Sequence, residues 1–361
     1  MSAWRSDYMA WAKARPKAPI DLAVSNLLAC SLDDLPGARD AVDVAGESPE
    51  GYPPLREAIA SRHGVPAERV ALAGGCSGAN FLACAALLAP GDEVLVETPF
   101  YDPLPAAARM LGATVSTFFR RFEDGFDVDP EAVAAKVTDR TRLLLLSNPH
   151  NPTGVLASAG SLEALARLAE RRGFHVLIDE VYRDTVLDGR PSPAALLSPV
   201  FVSTSSLTKA YGLGSLRCGW AIASPEVAAA MRRARDVVDV WAPMPADRIS
   251  TLAFADLDRL AARARGIIQA NFGPATAFLA KRPELECVAP SAIIAFPRLR
   301  DAPDSRPFVD RLLQETGVAV TPGSFFGAPR HFRMAFGGAP AELAAGLAAV
   351  ERFLDKTGGA A

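Results

Sequence analysis

Three short apolar stretches, each followed at once by polar residues, decide the predicted fold. They read LLLLSNPHNPTG (143–154), FHVLIDEVY (174–182) and VFVSTSSLTK (200–209). Short apolar runs bounded by turn-forming residues are typical of strands buried on both faces of a sheet. Between the first two lies an amphipathic helix, Leu162–Arg172, with Ser161 as its predicted N-cap and Gly173 just past its end. This alternation predicts βαβ units in a mainly parallel sheet.

The alternation extends toward both ends of the chain. Strands are also predicted at Glu93–Glu97 and Ala113–Phe119, and helices at Leu55–Arg62, Ala79–Leu88, Pro105–Leu111 and Pro130–Val137. Beyond residue 226 the pattern becomes helical, with short strands at Ile293–Phe296 and Val318–Thr321. We therefore expect an α/β fold, with a large domain built on a doubly wound, mainly parallel sheet and a smaller α+β domain. The predicted ranges are 1–45 for an N-terminal segment of the small domain, 46–250 for the large domain and 251–361 for the remaining small domain.

Composition excludes several classes of protein. The chain has 361 residues, 50% hydrophobic and 22% charged, and 38 Lys and Arg against 41 Asp and Glu give a net charge of −3. This balance gives no electrostatic reason to expect a nucleic-acid partner. No apolar run reaches the roughly 18 residues that a membrane span needs, so we expect no membrane partner. The N-terminus also lacks the apolar core of a signal peptide.

Cysteine and histidine usage argues against disulfides and metals. Five cysteines occur without a Cys-x-x-Cys pair, and four histidines lie far apart in sequence. These spacings predict neither a disulfide framework nor a metal site, and they favour a reducing, cytoplasmic compartment. His150, inside the NPHNPTG turn, is interpreted as structural.

The N-terminal aromatics Trp4, Tyr8 and Trp11 recur at helical spacing. This pattern predicts a short helix docked on the body of the protein, ended by Pro16 and Pro19, rather than a cofactor-binding element.

Polar residues follow three successive predicted strands. Asp179 directly follows an apolar run, and Asn151 and Lys209 each come a few residues after one. In open α/β sheets, ligands bind outside the carboxyl ends of the strands, so we expect these side chains to converge on one site. Each residue alone would be a weak indication, because such positions are often helix caps or turn formers.

The motifs together resemble a known family. They are NPHNPTG (148–154), DEVY (179–182), SSLTKAYGLGSLRCGW (205–220) and PGDEVLVETPFY (90–101), with further matches in GYPPLREAIA (51–60) and HFRMAF (331–336). From about residue 20 to 355 the chain resembles fold type I enzymes that depend on pyridoxal 5′-phosphate (PLP), of the class I/II aminotransferase group. The resemblance implies PLP as cofactor, amino acids and 2-oxo acids as substrates, and a homodimer.

The resemblance assigns roles to the residues around the cofactor ring. Lys209 matches the lysine that forms the Schiff base, since an amine can form an imine and later carry a proton at Cα. Asp179 matches the acid that keeps the pyridine nitrogen protonated, which makes the ring an electron sink. Tyr182 and Asn151 would hydrogen-bond the phenolic oxygen, and Tyr101 would stack on the ring.

Further matches concern the cofactor phosphate and the substrate. Gly75, Cys76 and Ser77 precede a predicted helix, whose free N–H groups form an anion site. Ser206 and Arg217 match the family's other phosphate ligands, and Arg suits phosphate because its planar fork binds in a bidentate way. The stretch lacks the GxxxxGK[ST] pattern of nucleotide-binding loops.

On the substrate side, Arg333 matches the arginine that binds the substrate α-carboxylate, with Asn151 beside it.

Two positions depart from the family pattern. Gly46 stands where the family usually has a tyrosine that reaches the phosphate of the neighbouring subunit, and Tyr52 is no simple replacement. Near residue 25, where the family often has a glycine whose backbone approaches the substrate carboxylate, this chain reads AVSNLL (23–28). Both changes concern the substrate side and the subunit interface more than the cofactor core.

The predicted function is PLP-dependent transamination between an amino acid and a 2-oxo acid. The alternative is a lyase (β-elimination) or decarboxylase reaction at the same site, because the cofactor residues do not separate these reactions. A PLP-binding regulator is a third hypothesis, disfavoured by the acidic balance and by the short segment before the family region. Trp241 and Arg248 are candidates for lining the substrate pocket. No second carboxylate-binding arginine can be assigned, so an acidic substrate is not favoured.

Overall fold

The computed structural model describes residues 5–358, so Trp4 lies outside the described residues. The strands are β1 (Ile20–Asp21), β2 (Val70–Gly74), β3 (Glu93–Thr98), β4 (Thr114–Phe119), β5 (Thr141–Ser147), β6 (His175–Asp179), β7 (Phe201–Ser206), β8 (Cys218–Ile222), β9 (Leu285–Glu286), β10 (Ile294–Ala295), β11 (Arg298–Leu299), β12 (Val318–Ala319), β13 (Thr321–Pro322) and β14 (Phe332–Ala335). The helices are α1 (Asp7–Ala14), α2 (Pro53–His63), α3 (Gly75–Leu87), α4 (Pro103–Met110), α5 (Pro130–Ala134), α6 (Ala159–Arg172), α7 (Thr208–Tyr211), α8 (Pro225–Val238), α9 (Met244–Ala255), α10 (Leu257–Lys281), α11 (Arg306–Thr316) and α12 (Pro340–Gly358).

Seven strands form the central sheet, in the order β2-β8-β7-β6-β5-β3-β4. All neighbouring pairs are parallel except those of β8, which runs antiparallel to β2 and β7. Ser147 pairs with Asp179, and Asp179 pairs with Thr204. The carboxyl ends of three adjacent strands therefore coincide, as the sequence predicts.

Helices cover both faces of this sheet, which explains why its central strands are apolar throughout. In β5, Leu143 and Leu145 join one core cluster with residues of α3 and α8, whereas Leu144 and Leu146 join another with residues of α6. Successive side chains of a strand point to opposite faces, so a doubly covered strand needs apolar residues at every position. The predicted α/β class and doubly wound, mainly parallel sheet are confirmed.

The small β-sheets lie on a separate core. The strands β10, β14 and β13 form one sheet, β9 pairs with β11, and β1 pairs in parallel with β12. Their apolar residues pack with α10 and α12 in a third cluster. The pairing of β1 with β12 joins residue 20 to residue 318. The exact domain ranges 1–45, 46–250 and 251–361 stay a prediction.

Two predicted helix starts are wrong. The N-cap of α6 is Ser158, whose Oγ accepts a hydrogen bond from Ser161 N at 3.1 Å. Ser161 therefore lies within the first turn. The helix predicted from Ala79 begins at Gly75, so Gly75, Cys76 and Ser77 form its first turn instead of preceding it. Among helices of the described chain, none has the length and apolarity that crossing a bilayer requires.

Candidate active site

A cavity of about 510 Å³ opens at the carboxyl edge of the central sheet. It brings together the residues to which the family resemblance assigns a role, except Gly75, namely Cys76, Ser77, Tyr101, Asn151, Asp179, Tyr182, Ser206, Lys209, Arg217 and Arg333. The lining also includes Tyr8, Met9, Ala12, Lys13, Ser25, Ser147, Val181 and Thr208. The coincidence of strand ends in the sheet accounts for this convergence.

Asp179, the last residue of β6, is an acid held by neutral donors. It is 5% exposed, and its Oδ2 accepts a hydrogen bond from Asn80 Nδ2 at 2.8 Å. Its Oδ1 accepts from the Val181 backbone N–H at 3.1 Å. Burial raises the pKa of Asp179, and these hydrogen bonds oppose the rise only in part. A cationic group bound against this carboxylate would reverse that rise.

Lys209 lies in α7, directly after β7, and its amine points into the cavity. Its Nζ donates to Ser25 Oγ at 3.2 Å and to Asn26 Oδ1 at 2.7 Å. Burial lowers the pKa of the Lys209 ammonium to about 8. The amine is therefore uncharged in about one molecule in ten at pH 7, far more often than an ordinary lysine, and only that form is a nucleophile.

Two tyrosines line the same cavity as Lys209. Tyr182 donates to Ser25 Oγ at 2.7 Å, and its ring centroid lies 5.7 Å from Lys209 Nζ. Burial raises the pKa of Tyr182, so its hydroxyl stays protonated and can donate a hydrogen bond. Tyr101 forms another wall of the cavity, with its ring edge-to-face against Tyr8 at 5.8 Å between centroids.

Arg217 also lines the cavity, beside the first turn of α3. Its Nη2 donates to the Gly74 carbonyl at 3.1 Å, and its Nη1 donates to the Gly214 carbonyl at 3.3 Å. A Cβ at Gly75 would lie 2.0 Å from Arg217 Nη2, and Gly75 has φ +80°. Only glycine lets the guanidinium approach the helix start this closely. An exposed arginine next to free helical N–H groups forms a site for an anion such as phosphate.

Arg333, on β14, is 1% exposed and has no carboxylate partner among the described residues. Its Nη1 donates to Asn151 Oδ1 at 2.9 Å, and its Nη2 donates to Tyr8 Oη at 2.8 Å and to the Ala23 carbonyl at 3.1 Å. Its Nε is buried without a partner. Although burial opposes its charged form, nearby tyrosine hydroxyls favour it, and the pKa of Arg333 lies above its ordinary value. A buried guanidinium with a donor to spare fits a carboxylate ligand.

A chain of buried hydrogen bonds, here called the buried relay, fixes the backbone of Asn151. Ser147 Oγ accepts from the Asn151 backbone N–H at 2.9 Å and donates to Glu97 Oε1 at 2.6 Å. Glu97 in turn pairs with Arg120 at 2.8 Å, and both side chains are fully buried. His150 lies beside this relay, bonded to the Pro99 carbonyl and to a threonine hydroxyl at 2.8 Å each. Burial lowers the pKa of His150 well below its ordinary value, in keeping with a structural role.

Sequence reasoning missed several residues of the site. Tyr8, Met9, Ala12 and Lys13 share one face of α1 and line the cavity, so this helix is docked as predicted but also reaches the site. Ser25, Asn26 and Asn80 contact Lys209 or Asp179 directly. The departure noted at AVSNLL was a signal for Ser25 and Asn26, whereas a single helical asparagine or lysine gave none.

Trp241 and Arg248 were candidates for lining the substrate pocket, and within the one described chain they lie outside the cavity. Trp241 is 44% exposed, and Arg248 Nη2 donates to the Ala45 carbonyl at 2.7 Å. The guanidinium is thus engaged by the 43–45 segment, away from the cavity. Gly46, with φ +124°, lies against Arg248 and Met244, and it also stands outside the cavity lining.

Comparisons with known proteins identify the family of the chain. Residues 45–350 match the family described as aminotransferase class I and II. The chain is 33% identical to the aspartate/prephenate aminotransferase of Thermus thermophilus over 84% of this chain and 81% of that protein. It is also 33% identical to the capreomycidine synthase of Streptomyces vinaceus, over 83% of this chain and 78% of that protein. A PLP-dependent aminotransferase from Streptococcus suis superposes with a TM-score of 0.92, at 26% identity over 99% of both chains.

The fold and the cavity define a PLP-dependent enzyme of fold type I. Within that class, the chain belongs to the class I and II aminotransferase family. It is an enzyme of the transaminase class, and its cofactor is pyridoxal 5′-phosphate.

The charges of the cavity fit this cofactor. Among the described residues that line the cavity, Asp179 is the one carboxylate. Its hydrogen bonds come from an amide and a backbone N–H, and neither donor is a cation. A protonated pyridine nitrogen would supply the missing cation, and the phosphate would neutralise Arg217. The unpaired donor of Arg333 remains for the substrate.

Proposed function

We propose that this chain transfers an amino group between an α-amino acid and a 2-oxo acid, with Lys209 holding the PLP aldehyde covalently as a Schiff base. The observation that supports this most strongly is the pairing, in one cavity, of a nucleophilic amine with a buried guanidinium that lacks a carboxylate. The amine suits the cofactor, and the guanidinium suits the carboxylate that all α-amino and 2-oxo acids share.

Each end of the cofactor has a proposed holder. Asp179 binds the pyridine nitrogen, Tyr182 and Asn151 bind the phenolic oxygen, and Tyr101 covers the ring. Arg217, Ser206 and the first turn of α3 (Gly75, Cys76 and Ser77) bind the phosphate. When bound, PLP supplies an electron sink for the negative charge left on the substrate Cα.

The remaining chemistry belongs to the chain itself. Arg333 and Asn151 bind the substrate α-carboxylate and thereby fix which bond of Cα faces the cofactor ring. The amine of Lys209, once displaced by the substrate, takes the proton from Cα and later donates it again. The Asp179 carboxylate, kept ionised by the cation it binds, maintains the acceptor state of the cofactor ring.

Borohydride trapping tests the covalent link. The purified protein, incubated with PLP and reduced with borohydride, should carry one pyridoxyl group on the peptide that contains Lys209. Lys209→Ala should carry none, while Lys17→Ala, an exposed lysine outside the cavity, should be labelled normally. Labelling elsewhere, or no labelling of the wild-type protein, contradicts the assignment of Lys209.

A half-reaction separates transamination from its alternative. Holoenzyme mixed with single amino acids, without any 2-oxo acid, should yield pyridoxamine phosphate and the corresponding 2-oxo acid. Pyruvate and ammonia released from a β-substituted amino acid, or carbon dioxide from any substrate, would instead establish the lyase or decarboxylase reaction. Both outcomes need to be measured, because one relative of this chain is named as a synthase and another as an aminotransferase.

We also propose a homodimer. Two segments that adjoin α9 expose apolar side chains: Val44 is 82% exposed, and Val237 is 89% exposed. The first segment is tied to α9 through Arg248, and the second directly precedes it. Sedimentation of the wild type and of Val44→Asp and Val237→Asp tests this interface, and a monomeric wild type contradicts it.

A cytoplasmic location is proposed because all five cysteines are free thiols.

A further inference from the structure

A serine hydroxyl lies between the two groups that flank the reacting centre. Ser25 Oγ accepts hydrogen bonds from Tyr182 Oη at 2.7 Å and from Lys209 Nζ at 3.2 Å, and Nζ also donates to Asn26 Oδ1 at 2.7 Å. Ser25 is 4% exposed and lines the cavity. These residues belong to the AVSNLL stretch, where the resembling family often has a glycine. Glycine has no side-chain oxygen, so a glycine in place of Ser25 could not accept these hydrogen bonds.

The segment that carries Ser25 and Asn26 is held in place from both sides. The Ala23 backbone N–H donates to Asp21 Oδ1 at 3.0 Å, and the Ala23 carbonyl accepts from Arg333 Nη2 at 3.1 Å. Further along, the Leu27 N–H donates to the Lys209 carbonyl at 2.9 Å. The backbone of Lys209 and the acceptors for its amine are therefore fixed relative to each other.

Several other groups face the Lys209 amine from the surrounding elements. They are Tyr8 on α1, Cys76 on α3, Asp179 at the end of β6, Tyr182 after it and Arg333 on β14. Burial is the largest influence and opposes the ammonium form, and Arg333 opposes it too, whereas Tyr8, Asp179 and Cys76 favour it. Within the described part of the chain, Ser25 and Asn26 supply the side-chain acceptors at hydrogen-bond distance from Nζ.

We propose that Ser25 and Asn26 form a receiving site for the amine of Lys209, which holds it after substrate has displaced it and stabilises the ammonium that it becomes. The inference rests on the proposed function. When Nζ takes the proton, the C–H electron pair stays on Cα, and the nitrogen lone pair forms the new N–H bond. Two neutral oxygens then accept from the ammonium until it donates the same proton again.

The receiving site predicts that the pKa of the Lys209 amine changes when either acceptor is removed. A hydrogen bond to a charged group stabilises that form more than a bond between neutral groups does. Removing the Ser25 hydroxyl should therefore lower the pKa of Lys209 by about half to one unit, since Asn26 remains as an acceptor. Removing the Asn26 amide should shift the pKa in the same direction.

The first experiment measures this pKa without any turnover. Apo-protein is acetylated with trace acetic anhydride across pH 6 to 10, and modification of the Lys209 peptide is quantified by mass spectrometry. We expect the midpoint to fall in Ser25→Ala, in Ser25→Gly and in Asn26→Ala, and to stay within about 0.2 units in Ser25→Thr, which keeps a hydroxyl. Circular dichroism and thermal unfolding verify that each variant is folded. Unchanged midpoints in folded Ser25→Ala and Asn26→Ala, or an equal fall in Ser25→Thr, overturn the proposal.

The second experiment uses the holoenzyme. Exchange of the substrate Cα proton with deuterated water reports the step in which Lys209 accepts the proton. We expect Ser25→Ala to slow this exchange about three- to tenfold with little change in KM, and Ser25→Thr to restore it. A loss confined to KM overturns the proposal. If the wild-type protein transaminates no amino acid while the apo-protein midpoints shift as expected, the proposed function and the catalytic role of the receiving site both fail, and only the binding of the Lys209 amine by Ser25 and Asn26 stands.

Discussion

Replacement of Arg333 by lysine tests the substrate side of the cavity most directly. The guanidinium is 1% exposed, keeps three acceptors from the chain and has a buried Nε without a partner. A lysine keeps the positive charge but presents one nitrogen where arginine presents a planar fork. We expect the substrate carboxylate to lose at least one charge-assisted hydrogen bond, worth about 1.5–3 kcal/mol.

That loss corresponds to about a ten- to hundredfold fall in kcat/KM for α-amino acids. The assay is the half-reaction of holoenzyme with an amino acid and with the matching amine that lacks the carboxylate. Arg330→Lys is the matched control, because Arg330 lies three residues away, outside the cavity lining, and donates to the Leu299 and Arg300 carbonyls. If Arg333→Lys slows the amine as much as the amino acid, Arg333 does not bind the carboxylate and the reasoning is refuted.

Four further predictions concern charged groups of the site. Asp179→Asn should weaken cofactor binding about a hundred- to thousandfold, since a buried cation loses its partner; titration of apo-protein with PLP measures this. Covalent capture of PLP by Lys209 should accelerate about tenfold per pH unit and level off near pH 8, because the pKa of the amine is about 8 and only its neutral form reacts. Lys13, a cation of the cavity lining, should favour acidic side chains, so Lys13→Glu should lower the aspartate-to-asparagine rate ratio about fivefold, whereas Lys17→Glu should not. Glu97→Gln should lower the free energy of unfolding, measured by urea titration, by about 3–5 kcal/mol, because it leaves the buried charge of Arg120 without a carboxylate.

Three outcomes would contradict these predictions. Unchanged PLP affinity in the Asp179 variant would remove the pyridine partner from the assignment. A capture rate that still rises above pH 9 would mean that burial does not lower the pKa of Lys209. Equal effects of the Lys13 and Lys17 variants would reduce the role of Lys13 to long-range charge.

The sheet and the cofactor end of the site could be predicted from sequence because both depend on local pattern. Continuous apolar runs mark strands covered on both faces, and parallel strands bring their carboxyl ends to one edge. Asp179 ends such a strand, and Asn151 and Lys209 follow the ends of its two neighbours within four residues, so strand order was enough to bring them together.

The substrate end could not be predicted in the same way because it depends on long-range contacts. Tyr8 meets Arg333 across 325 residues of sequence, and Ser25 meets Lys209 across 184. No local periodicity encodes such a meeting. Arg248 is a plausible ligand by residue type, but in the described chain it donates to the carbonyl of Ala45 and lies outside the cavity lining.

The short helix α1 joins the substrate cavity to the N-terminal end of the described chain. None of its residues is buried. The helix is held by a hydrogen bond from the Ser6 hydroxyl to Asp102 at 2.5 Å, by a hydrogen bond from Arg333 to the Tyr8 hydroxyl, and by the edge-to-face contact of Tyr8 with Tyr101. An element with so little buried apolar area detaches at small free-energy cost, independently of the global unfolding of the core. A purification tag or peptide fused ahead of this helix should therefore change the kinetic constants of the enzyme even where it leaves the melting temperature unchanged.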